Sequence, residues 1–130
     1  MRCPGCISDA RSIFRMYAAC MGEVDGMRLL TEERLRDATT QRTHGPDIVI
    51  LDLDLQFGLG FNLPSTLLQL GGPRSFGHFG AGGSAGWADP EVEMSFGYAM
   101  NRMALGLAGD QRSYTLVNAF VSAANQEQLL

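Results

Sequence analysis

Residues 55–63 read LQFGLGFNL, in which Leu55, Phe57, Leu59, Phe61 and Leu63 alternate with Gln56, Gly58, Gly60 and Asn62. Successive side chains of a strand point to opposite faces, so a period of two demands an extended segment with one apolar face. A helix would need its apolar residues three and four apart. The same period returns further on, where Val92, Met94, Phe96, Tyr98 and Met100 share one face and Glu93, Ser95, Gly97, Ala99 and Asn101 the other. Between the two runs lie the turn-rich LPSTLLQLGGPR, a glycine-rich segment that reads as a strand from about Arg74 to Gly86, and a turn at Asp89-Pro90. The chain is committed to an antiparallel sheet, predicted here with three strands.

Helical spacing flanks that sheet. Ile13, Met16, Tyr17, Cys20 and Met21 fall on one face of a helix from Asp9 to Met21, which Ser8 can cap and Gly22 can end. Thr31 with Glu32 and Glu33 opens a second, short helix running to about Thr40, and Gly45-Pro46 breaks the pattern. Asp110 can cap a last helix whose Tyr114, Val117, Val121 and Ala124, with Leu116 and Phe120, form a broad apolar stripe. The predicted architecture is α+β: a single partial domain over residues 1–130, with a helical segment at 1–45, antiparallel strands at 46–104 and a C-terminal helix at 109–126 packed on the sheet. A short sheet with two coverable faces belongs to a larger one, so an exposed sheet edge open to further strands is expected.

Composition narrows the partners. With 45% apolar and 18% charged residues in 130, the chain reads as a soluble globular domain. A net charge of -4 with scattered arginines argues against nucleic acid and anionic membrane surfaces. No apolar run reaches the roughly 18 residues of a membrane span, and MRCPGCISDAR lacks the apolar core of a signal peptide. Three cysteines, Cys3, Cys6 and Cys20, form no disulfide framework, and the expected location is the reducing cytoplasm. All ten basic residues are arginine. No mechanism that needs a lysine amine can be carried by these residues alone.

The run Gly77-His78-Phe79-Gly80-Ala81-Gly82-Gly83-Ser84, followed by GWADPE and FGYAMNRM, resembles the C-terminal part of the serine β-lactamase-like esterases, which group with class C β-lactamases and D-alanyl-D-alanine carboxypeptidases. ARSIFRMYAACMGEVDGMRLLTEE and FGLGFNLP are similar to the segments that precede those strands. The resemblance implies the C-terminal portion of the β-lactamase/transpeptidase-like fold. It also implies that His78-Phe79-Gly80 is the third active-site motif in its His-x-Gly form. His78 would then offer a hydrogen-bonding side chain, Gly80 would permit close approach, and the Ala81 N–H would be one of two oxyanion donors. The other donor belongs to the nucleophilic serine of an S-x-x-K motif, which no serine here can satisfy without a lysine. The Tyr-x-Asn/Ser motif is absent too: Tyr17, Tyr98 and Tyr114 are followed two residues later by Ala19, Met100 and Leu116. The implied function is the C-terminal segment of a hydrolase of small esters or β-lactam-like amides, inactive alone and needing no metal or cofactor. Its implied partner is an N-terminal part of the same enzyme. The alternative is a non-catalytic module that binds or self-associates through its sheet edge.

Other patterns read as structure. From its pattern alone His78 is a surface histidine on a glycine-rich strand. Gly80 to Ala85 formally fits a dinucleotide fingerprint but leads to no helix. Cys3-Pro4-Gly5-Cys6 is a lone C-x-x-C without a second pair, His44 a loop residue, and Asp52 with Asp54 a solvated pair at a strand start. The methionines are read as core filling.

Overall fold

A computed structural model describes residues 7–49, 52–68, 71–106 and 109–127. Helix α1 (Ala10–Met21) starts where the Asp9 carboxylate accepts the Ser12 N–H at 2.7 Å, satisfying an amide that the first turn leaves unpaired. Asp9, not Ser8, is therefore the cap. A carboxylate is the stronger acceptor at the positive end of a helix, and Ser8 stays outside. Gly22 ends α1, its N–H donating to the Ala18 carbonyl. Tyr17 and Cys20 are buried as the spacing predicts, but Met16 is 45% exposed and Ala19 takes the inward position. Burial pushes the Tyr17 hydroxyl and the Cys20 thiol up from their ordinary pKa values, so both stay protonated core groups.

Helix α2 (Glu32–Ala38) opens on the Thr31 hydroxyl, which accepts the Arg34 N–H at 3.2 Å, with Glu32 and Glu33 in the first turn. Thr31→Ala should lower unfolding stability by about 1 kcal/mol, read as a urea midpoint shift, and Thr31→Ser should restore it. An unchanged midpoint in the alanine variant would show that α2 is held by Leu35 burial alone.

The sheet has five antiparallel strands rather than three, in the order β1 (Gln56–Phe57), β2 (Asn62–Leu63), β3 (Phe76–Phe79), β4 (Ala85–Asp89) and β5 (Met94–Tyr98). Both additions come from hairpins hidden inside apparent strands. In LQFGLGFNL the Gly58 N–H donates to Phe61, Leu59 donates to the Ala38 carbonyl, and Gly60 adopts φ +84°, so the chain reverses at the tip. Leu55 and Phe57 then join one core and Phe61 and Leu63 the other, with Leu59 56% exposed. The segment from Arg74 to Gly86 divides likewise, because Gly82 and Gly83 at φ +88° and +116° turn the chain between β3 and β4.

Each face of the sheet is covered. On one, Leu55, Leu68, Phe79, Ala85 and Trp87 pack against Val117 of α3 (Gln111–Glu127), with Tyr114, Phe120 and Val121 beside it. Leu116, expected in that stripe, is 43% exposed. On the other face, Tyr17 and Cys20 of α1 and Leu35 of α2 pack on Leu63, Phe76 and Ala88. Among the described residues no helix is long and apolar enough to cross a membrane.

Candidate functional site

His78 lies on β3, and Gly80 and Ala81 begin the turn that follows it. The turn is fixed by its carbonyls. The Gly80 C=O accepts N–H groups from Gly83 at 3.2 Å and Gly109 at 3.3 Å. In a planar trans peptide the following N–H points opposite to that C=O, so anchoring the Gly80 carbonyl inward aims the Ala81 N–H outward. No described residue accepts from it, and Ala81 is exposed. A Cβ on Gly80 would fall on the Ser84 hydroxyl, so glycine at this position lets the turn close on itself.

His78 is exposed, and its Nδ1 lies 2.7 Å from the Phe79 carbonyl oxygen. A carbonyl has no proton to give, so Nδ1 carries the hydrogen and the Nε2 of the neutral ring keeps a lone pair. The ring lies 6.4 Å from that of Phe57. One short stretch therefore presents a nitrogen acceptor and an unused backbone donor.

The clamp behind the turn involves residues that the sequence did not single out. The Gly82 N–H donates to Gly106, and the Gly82 carbonyl accepts from the Ala104 N–H at 3.0 Å and from Arg112 Nη2 at 3.4 Å. Arg112 also bonds the Arg102 carbonyl and pairs with the Asp110 carboxylate. Asp110 caps α3 as expected, accepting from the Arg112 and Ser113 N–H groups, while the Ser113 hydroxyl accepts the Asp110 N–H in return. The only sequence signal for this was the cap, since a guanidinium that reaches 30 positions back leaves no local pattern.

The Arg112 guanidinium, with help from the capping N–H groups, holds the Asp110 carboxyl below its ordinary value of 3.8. A depressed folded pKa means that the unfolded state binds more protons in that window. The stability contributed is present above the ordinary value and is lost as pH falls through the depressed one. Amide-exchange protection at Gly82 and Ala104 should therefore fall in acid below pH 3.8, and Asp110→Asn should abolish that pH step. Protection that stays flat in the parent chain would show that the clamp does not depend on the Asp110 charge.

The remaining candidates do not assemble. Gly80 to Ala85 passes from the turn into a strand and is followed by no helix. Asp52 is exposed with φ 56° in a turn and Asp54 accepts the Thr66 hydroxyl, so the pair begins no strand. His44 is exposed. Cys3 and Cys6 lie outside the described residues, among which no three His, Cys, Asp or Glu side chains gather as metal ligands.

Residues 4–119 match the family model described as Beta-lactamase. Over 100 residues the chain is 37% identical to the esterase/beta-lactamase LipL of Mycobacterium tuberculosis, covering 75% of this chain and 22% of that protein. EstA from Arthrobacter nitroguajacolicus Rue61a superposes with a TM-score of 0.78 at 32% identity, covering 90% of this chain and 32% of its own. A family VIII carboxylesterase gives 0.73 at 30% identity over 85% of this chain and 30% of its own. A penicillin-binding protein homolog from Caulobacter crescentus gives 0.75 at 34% identity over 87% and 31%. The chain spans a third or less of the length of each.

Proposed function

The chain belongs to the β-lactamase family, and on that premise we propose that it forms the His-x-Gly wall of a serine hydrolase acting on small esters or β-lactam-like amides. The observation that carries this reading is the Gly80–Ala81 peptide, pinned by its carbonyl with its N–H unused, beside the free Nε2 of His78. In acyl transfer a serine oxygen adds to the substrate carbonyl and the carbonyl oxygen becomes an oxyanion. A donor already aimed at that oxygen stabilises the charge without having to reorganise. His78 Nε2 can accept a hydrogen bond from the attacking hydroxyl or from the substrate. Relatives described as an esterase/beta-lactamase and as a carboxylesterase favour esters among the substrates.

The nucleophile has to come from residues other than these 130, because S-x-x-K requires a lysine and the chain has none. Strand β5 ends the sheet, with a row of backbone groups that no further strand adjoins among the described residues. That edge is the place where the rest of the fold would add. The test mixes this chain with a polypeptide carrying the S-x-x-K helical part and measures hydrolysis of a nitrophenyl ester. A gain in turnover together with phosphonate labelling of the partner's serine is expected. No gain, or labelling of a serine in this chain, would overturn the reading. The same free edge supports the second reading, a self-associating module. A concentration-independent monomer by light scattering would remove it.

A further inference from the structure

The Gly80–Ala81 peptide is oriented by the two donors on the Gly80 carbonyl, the Gly83 N–H at 3.2 Å and the Gly109 N–H at 3.3 Å. Both donors sit against the same ion pair, Asp110–Arg112. Gly109 is joined to Asp110 by a peptide bond. A Cβ on Gly83 would fall on Asp110 Oδ2 and lie 3.1 Å from Arg112 Nη2, so the pair packs directly on the Gly83 backbone, in the space a side chain would need.

Helix α3 does not require that guanidinium for its cap. Asp110 Oδ1 accepts the Arg112 and Ser113 N–H groups at 2.8 and 3.2 Å, which completes the N-cap through the backbone alone. The guanidinium takes the other carboxylate oxygen, Nε donating to Oδ2 at 3.0 Å, and then reaches beyond the helix. Nη1 donates to the Arg102 carbonyl at 2.9 Å and Nη2 to the Gly82 carbonyl at 3.4 Å. The loop that carries Arg102 is bonded to the turn at the same place, because the Gly82 N–H donates to Gly106 at 2.9 Å and the Gly82 carbonyl accepts the Ala104 N–H at 3.0 Å. One planar fork thus ties the first turn of α3, the loop after β5 and the residue that follows Ala81. An ammonium, with a single nitrogen on a flexible stem, cannot hold those directions together.

Residues 80–82 are therefore held at both ends, by the carbonyl of Gly80 and by both backbone groups of Gly82. In a planar peptide the direction of the Ala81 N–H follows from those anchors. We propose that Arg112 is a positioning residue for ester or amide hydrolysis. It fixes the aim of the Ala81 N–H without touching the reacting atoms, through Asp110 and Gly109 on one side and through Gly82 on the other. The inference rests on the hydrolase reading of the Gly80–Ala81 peptide and adds to it the side chain that keeps the donor in place.

The clamp is measured first on the chain alone, by amide exchange. Arg112→Gln should lower protection of the Gly109 and Ala104 N–H groups by about tenfold or more, while the amides of β4 keep theirs. Arg112→Lys, which leaves a cation beside Asp110 but no fork, should loosen the same two amides, and it carries the test if the glutamine variant loses β4 protection as well. Equal protection at Gly109 in both variants and the parent would overturn the proposal. With the S-x-x-K polypeptide supplied, Arg112→Gln should lower kcat on a nitrophenyl ester by about 10–10²-fold, the effect of a group misplaced by up to an ångström, and leave KM nearly unchanged. A loss carried by KM would overturn it.

The decisive comparison uses Ala81→Pro, which deletes the donor. If Arg112 acts through that N–H, adding Arg112→Gln to the proline variant should cost no more than about twofold, whereas independent roles would multiply. A further loss of about tenfold in the double variant would show that Arg112 works elsewhere. Turnover in the parent with no effect of Arg112→Gln would remove this inference and leave the hydrolase reading standing. No turnover in the parent would remove the hydrolase reading and this inference with it.

Discussion

Gly97→Val is expected to abolish cooperative folding. Gly97 sits on β5 directly opposite Gly86 on β4, and α1 lies across both. A Cβ on Gly97 would land on the Ala10 carbonyl and within 2.7 Å of the Phe14 backbone nitrogen, and one on Gly86 within 2.8 Å of Ile13 Cγ2. Backbone atoms cannot rotate aside, so the helix has to lift. Lifting it uncovers Tyr17, Cys20, Phe76 and Ala88, which form one face's core. Burial of a large apolar side chain contributes about 1.5–3 kcal/mol, and a domain has only about 5–15 kcal/mol in total. Loss of two or three such contacts therefore removes most of the margin. The control is Gly60→Asn at the β1–β2 tip, where a Cβ meets nothing within 4 Å and asparagine tolerates the left-handed conformation. Near-UV circular dichroism follows both variants, because Trp87 is buried edge-on to Phe120 at 6.0 Å. A Gly97→Val chain melting cooperatively within a few degrees of the parent would show that α1 is not seated on the glycines.

That pair of glycines marks the limit of what the residues disclosed. The alternation over Met94, Phe96 and Tyr98 placed β5 and its inward face correctly, because period two is a local property and one face is filled by α3. It did not show why Gly97 occupies the opposite face, since the reason is the proximity of a helix some 80 positions earlier in the chain. The two hairpins were hidden for a related reason. A strand that reverses through glycines keeps its alternation, so LQFGLGFNL looks the same whether it runs straight or folds at Gly58 to Phe61. The positive φ at Gly60, the Gly58 bond to Phe61 and the Leu59 bond to Ala38 distinguish the two. All three capped helices were legible because an N-cap is written within four residues. The one-residue error from Ser8 to Asp9 arose where two good caps stand side by side. At the site, His78, Gly80 and Ala81 were visible as a motif. The clamp by Gly109 and Arg112 was not, because what fixes the Ala81 peptide is a set of carbonyl bonds to a loop that follows β5.

The geometry of that peptide sets the second large effect. Ala81→Pro removes the one N–H that the proposed mechanism requires and leaves the Gly80 carbonyl with both its donors. Ala81 is exposed, its N–H has no partner among the described residues, and its φ is not in the left-handed region, so proline breaks no internal hydrogen bond. The chain alone should hydrolyse nitrophenyl esters no better than a nucleophile-free hydrolase: losing the nucleophile removes on the order of 10⁶ in turnover and leaves about 10³–10⁴ over water at most. Once the S-x-x-K part is supplied, Ala81→Pro should lower kcat by about 10²–10³, the effect of deleting one oxyanion donor, with KM nearly unchanged because the donor acts on charge that develops after binding. Ala81→Gly, which keeps the N–H, should retain activity. The split matters more than the size of the loss. A proline variant that raises KM and spares kcat would place Ala81 in ground-state binding only, and one as active as the parent would remove the Gly80–Ala81 peptide from the chemistry altogether.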